Sequence, residues 1–110
     1  MSTSVVRGRV TFGTFYLGGN NAAHGGTVTL LFDEVLGIMA NSDNPPPPRR
    51  TAYLTVNYRK ITPIGVELRV EASVDRTEGR KRWATGRLFR GDQLVADAEG
   101  LFVKLRAGQP

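Results

Sequence analysis

With 110 residues the chain is read as one domain, 1–110, and a domain of this size buries only roughly 65% of its unfolded surface, so self-association is expected to add core. It has no cysteine and a single histidine, His24, which excludes a disulfide framework, a thiol nucleophile and any Cys-ligated or multi-histidine metal site. Fifteen Lys and Arg against ten Asp and Glu leave a net charge of +5, and twelve of the cations are Arg, the side chain that pairs bidentately with phosphate.

Residues 1–10 lack the long apolar run of a secretory leader. The longest apolar stretch, residues 28–40, is too short to span a bilayer and contains Asp33 and Glu34. A cytoplasmic protein that does not enter membranes is expected. In residues 5–16, Val6, Val10, Phe12 and Tyr16 share one parity and Arg7, Arg9 and Thr11 take the other, which predicts a half-buried strand. A Gly- and Asn-rich loop follows over residues 18–23.

His24, Gly25 and Gly26 lead into a helix predicted to run to Ala40. Val28, Leu31, Val35 and Ile38 form its apolar stripe, and Leu30, Phe32, Leu36 and Met39 widen it until the helix is apolar almost all round. Such a helix is expected to be covered on several sides. One narrow line of polar or small residues remains, Thr29, Asp33 and Gly37 at i, i+4 and i+8.

Residues 41–50 contain four consecutive prolines, Pro45 to Pro48, and predict an extended, mobile connector. Four strands are predicted after it. Residues 51–60 place Leu54, Val56 and Tyr58 on one face, and residues 66–75 alternate cleanly. Residues 82–90 carry small Ala84 and Gly86 on one face, leaving room for a helix to sit close, and residues 94–105 complete the set. Turn residues at Glu78-Gly79 and Gly91-Asp92 suggest that all four form one antiparallel meander. Residues 106–110 are read as a frayed tail. The order is β-α-β-β-β-β, an α+β chain in which an antiparallel sheet wraps one long central helix.

The helix start carries chemical potential. Its first N–H groups are free and sit at the positive end of the helix dipole. Gly25 and Gly26 let a carbonyl approach those amides unobstructed, and amides so placed stabilise the oxyanion of acyl transfer. Asp33 offers a carboxylate. At ~1.5 Å per residue, however, it lies roughly 12–14 Å along the axis from the helix start. It reaches a carbonyl held there only if a second, two-fold related subunit brings its own Asp33 to the first subunit's Gly25.

His24, Gly25 and Gly26, with Leu30 and Leu31 ahead of Asp33 and Glu34, and then residues 50–58 with Pro63 beyond them, resemble the HGG-motif acyl-CoA thioesterases of the hotdog superfamily, in the phenylacetyl-CoA thioesterase-like branch. The resemblance runs from about Phe12 to Lys104. It implies a single-domain hotdog fold, hydrolysis of an acyl-CoA, and assembly as a dimer or a dimer of dimers. In that register Gly25 donates its backbone N–H to the thioester carbonyl. Asp33 is the general base or the nucleophile. Thr51 takes the position where relatives hold a Ser or Thr that positions water. His24 shapes the thioester pocket, with Gly26 beside it. Relatives often carry an Asn six residues before the histidine; Gly18 stands there in this chain, and Asn20 and Asn21 are the nearby candidates. The N-terminus is short for the family. Coenzyme A is part of the substrate and no further cofactor or metal is expected. Its phosphates call for cations, and the candidates are Arg59 and Lys60 at one strand end and Arg80, Lys81 and Arg82 at another. Two other readings stay open: an acyl-CoA-binding hotdog protein without hydrolysis, and a nucleic-acid binder, against which the scatter of the arginines speaks.

Overall fold

The structure, a computed structural model, describes residues 5–13, 17–19, 22–23, 25–42 and 48–105. In chain order the elements are β1 (Val5–Val10), β2 (Leu17–Gly19), β3 (Ala22–Ala23), α1 (Gly25–Ala40), β4 (Arg49–Tyr58), β5 (Leu68–Glu78), β6 (Lys81–Arg90) and β7 (Gln93–Lys104). β2 and β3 form a small antiparallel pair within the predicted Gly/Asn loop. The other five strands make one antiparallel sheet in the order β1-β5-β6-β7-β4.

β5, β6 and β7 are the expected meander. Gly79 and Gly91, each at φ 58, supply the left-handed turn residues between them. β4 departs from it, because it pairs with β7 and not with β5. The nine residues between Tyr58 and Leu68 are enough to carry the chain from one edge of the sheet toward the other. β1 takes the place beside β5, so β1 and β4 are the two edges.

α1 lies across one face of the sheet. Val28, Phe32, Leu36, Met39 and Ala40 are buried against Leu68, Val70 and Ala72 of β5, Ala84 and Leu88 of β6, and Ala96, Ala98 and Phe102 of β7. The small residues of β6 allow the close approach expected of them. A Cβ on Gly86 would lie 2.9 Å from the Phe32 ring and 3.2 Å from Leu36 Cδ2. All-round burial of the helix does not hold within one chain. Leu30 is 55% exposed and Ile38 73%, with Glu34 exposed between them. A single sheet face covers only one side of a helix, so this stripe at i, i+4 and i+8 remains uncovered.

At the far end of α1 the chain is stitched to β4. Asn41 donates from Nδ2 to the Gly37 carbonyl (2.9 Å) and to the Arg49 carbonyl (3.2 Å), and its Oδ1 accepts the Arg49 N–H (2.7 Å). Both Arg49 and Arg82 donate from Nη1 to the Ala40 carbonyl at 3.0 Å. The last turn of the helix has no basic residue of its own. These two guanidiniums supply the positive charge that a helix C-terminus favours.

Candidate active site

Asp33 is half-buried on α1, and its Oδ1 accepts a hydrogen bond of 2.9 Å from the Thr51 hydroxyl. The two are 18 residues apart in sequence. Both line an open cleft of about 380 Å³ together with Gly26, Thr29, Leu30 and Leu54. Gly26, Thr29, Leu30 and Asp33 follow i, i+3, i+4, i+7 spacing, so one face of the helix supplies one wall and β4 the other. Next to this wall the Thr29 and Tyr58 hydroxyls lie 2.5 Å apart.

Thr51 reaches the cleft through an irregularity in β4. Thr51 pairs with Phe102, but the next paired residue, Tyr53, faces Leu101, which leaves Ala52 as the extra residue of a β-bulge. Strict alternation would put Thr51 on the opposite side of the strand from Leu54, Val56 and Tyr58. The bulge resets the parity. Thr51 thus stands beside Phe102, and Leu54, Val56 and Tyr58 beside Gly100, Ala98 and Ala96, all toward the helix.

Gly25 opens α1 and Gly26 follows in its first turn, so the predicted amide-bearing glycines sit at the helix N-terminus. His24, Asn20 and Asn21 lie outside the described residues. Sequence reasoning does not single out Thr29, Leu30, Leu54 or Tyr58 as site residues. The polar line through Thr29 and Asp33 is the signal that points to the first of them.

The two cationic clusters lie at opposite ends of the helix. Arg59 and Lys60 follow Tyr58, near the first turn. Arg59 Nε donates to Asp97 Oδ2 at 2.8 Å on the outer face of the sheet, and Lys60 is exposed. Arg80 donates to the Lys104 carbonyl, and Arg82 to Thr77 Oγ1 as well as to Ala40, so this cluster sits by the helix C-terminus, with Lys81 exposed.

Arg59 belongs to a charged row that crosses the whole sheet on the side away from the helix. Arg7, Glu71, Arg87, Asp97 and Asn57 are successive cross-strand partners. The hydrogen bond from Arg59 holds the Asp97 carboxyl below its ordinary range against the opposing effect of burial, and Asn57 (2.8 Å) adds to it. A carboxylate with a depressed folded-state pKa stabilises the fold above the ordinary Asp value, about 3.9, and loses that contribution as pH falls through the folded-state value. Asp97→Asn is therefore expected to be less stable than wild type at pH 7, with the gap closing in acid. Urea unfolding at pH 7 and pH 3 checks this, and a gap unchanged at pH 3 would refute it.

An antiparallel sheet carrying one long helix across its face, with a carboxylate cleft along that helix, defines a hotdog domain. The chain belongs to the thioesterase superfamily, whose family model matches residues 20–96. It is 40% identical over 81 residues to a Pseudomonas aeruginosa protein provisionally named an esterase, PA0474, covering 73% of this chain and 60% of that one. Among solved structures, the thioesterase superfamily protein RHA08564 superposes with a TM-score of 0.82 at 34% identity, covering 90% of this chain and 51% of that one. The BH2602 protein of Bacillus halodurans, solved with CoA, superposes with a TM-score of 0.80 at 27% identity, covering 92% of this chain and 68% of that one. The chain thus spans between half and two thirds of the length of the first two. No helix among the described residues is long and apolar enough to cross a membrane.

Proposed function

We propose that this protein is an acyl-CoA thioesterase, and the observation that carries the reading is the Asp33–Thr51 hydrogen bond inside a cleft that begins at a Gly-Gly helix N-terminus. The amide of Gly25 polarises the thioester carbonyl and stabilises the oxyanion that forms on it. Asp33, oriented by Thr51, either takes a proton from the attacking water or attacks the carbonyl itself. Family membership and a CoA-bound relative support the substrate class.

About 12 Å of helix separates Gly25 from Asp33 of the same chain, so each site uses Gly25 from one protomer and Asp33 from its partner. Three features support a second copy on this side of the molecule. The cleft is open, no strand lies beyond β4 at this edge of the sheet among the described residues, and Leu30, which lines the cleft, leaves its apolar side chain 55% exposed. In this reading the family resemblance assigns substrate-binding roles to His24 and to one of Asn20 and Asn21. Of the two basic clusters, the one after Tyr58 suits the CoA phosphates better through Lys60, which is exposed near the helix start, whereas Arg59 is paired with Asp97 on the outer face of the sheet and Arg80 and Arg82 donate to backbone carbonyls near the other end of the helix.

Incubating the protein with acetyl-, hexanoyl- and phenylacetyl-CoA, with free thiol followed by a chromogenic disulfide, is expected to show enzyme-dependent release from at least one of them. Calorimetric binding of the same esters with no thiol released would favour the reading as an acyl-CoA-binding protein instead.

A further inference from the structure

Asn41 and Arg49 do not line the cleft, yet they hold the strand that delivers Thr51 to it. The Asn41 side chain bonds both the N–H and the carbonyl of Arg49, as a neighbouring strand would, while its Nδ2 also reaches back to Gly37. Arg49 is 7% exposed, and its guanidinium donates to the Ala40 carbonyl. The start of β4 is thereby fixed to the last helical turn from two directions, whatever path the proline-rich connector takes between them. Thr51 comes two residues later, immediately ahead of the Ala52 bulge that lets it share a face with Leu54. Along the strand, the clamp on one side and the bulge on the other fix where the Thr51 hydroxyl points. Asp33 receives that hydroxyl from a helix whose own end is held by the same clamp.

We propose that Asn41 and Arg49 are positioning residues that act through Thr51, setting the hydroxyl against Asp33 by tying β4 to the end of α1. The proposal rests on the thioesterase reading of the cleft, and it assigns a catalytic consequence to side chains outside the cleft.

A double-mutant cycle in the full chain tests it, with turnover of the most rapidly cleaved ester of the acetyl-, hexanoyl- and phenylacetyl-CoA series as the readout. Thr51→Val and Asn41→Ala are each expected to lower kcat roughly tenfold, the loss of one hydrogen bond to a charged group, with KM changed less than about twofold. The double variant is expected to be no slower than Thr51→Val alone, because Asn41 has nothing left to position. Losses that multiply to about a hundredfold, or an Asn41→Ala enzyme with full kcat, would overturn the proposal. If Asn41→Ala does not fold, Arg49→Lys, which keeps the charge at the helix end and loses the planar guanidinium, takes its place in the same cycle with the same expected outcomes. A second readout needs no activity. The 13C resonance of the Asp33 carboxyl is expected to move in Thr51→Val and to move in the same direction in Asn41→Ala, and a wild-type position in Asn41→Ala counts against the proposal. Absence of hydrolysis by wild type would overturn the reading of the cleft, while the carboxyl resonance still decides whether the clamp sets Thr51 against Asp33.

Discussion

Asp33→Asn is expected to lower acyl-CoA turnover by about 10²–10⁴-fold, the contribution typical of a positioned general base, and by at least as much if the carboxylate is the nucleophile. The substitution keeps the shape of the side chain and leaves an oxygen to accept the Thr51 hydroxyl, so the cleft should keep its geometry while losing the group that takes the proton or attacks. Melting temperature and oligomeric state are expected to stay at wild-type values. Retained turnover in a folded Asp33→Asn protein would remove this carboxylate from the mechanism. The same variant tests whether the site is shared. Gly25→Pro removes the amide donor at a position in the first helical turn where proline is tolerated, and it should also be inactive. If each site takes Gly25 from one chain and Asp33 from the other, random mixing of the two dead variants rebuilds about a quarter of the sites, because half of the dimers are mixed and each mixed dimer has one intact site of two. A mixture that remains inactive after subunit exchange would mean that both groups come from one chain.

The second large effect concerns the fold. Phe32→Ala is expected to destabilise the protein by about 3–5 kcal/mol, the usual cost of removing a fully buried aromatic ring. Phe32 is 0% exposed, and its ring fills the space opposite Gly86, where a Cβ would lie only 2.9 Å away. The cross-strand partners of Gly86 are Ala72 and Ala98, both fully or almost fully buried. Short side chains on a hydrogen-bonded sheet cannot lean into the void, so most of the cavity should persist. Chemical denaturation at one fixed protein concentration measures the loss, since association would otherwise shift the midpoint. A loss below about 1 kcal/mol would show that the helix settles onto the sheet and closes the gap.

The elements themselves are legible in the amino-acid order. Alternation in β5 and the glycines at positions 79 and 91 mark a hairpin run, and the i, i+3, i+4 spacing of apolar residues marks α1. Ala84 and Gly86 predict the close approach of the helix. Asp33 stands out because it is the carboxylate on the one polar line of an apolar helix, and the family resemblance supplies Thr51. Several features are not legible in this way. A simple meander places β4 beside β5, yet it lies at the other side of the sheet beside β7. The alternation of Leu54, Val56 and Tyr58 assigns Thr51 to the wrong face, and nothing in residues 49–58 marks Ala52 as a bulge. Asn41 and Arg49 resemble connector residues, but they join the helix end to the strand.

Local preference is enough to decide where strands, turns and the helix occur, since the period of apolar side chains and the φ freedom of glycine act over a few residues. The choice of strand neighbours, the parity of Thr51 and the exposure of the Leu30–Ile38 stripe belong to the tertiary structure. Each depends on groups far apart in the chain competing for the same hydrogen bonds or the same buried surface, and that competition is settled only when the sheet closes beneath the helix.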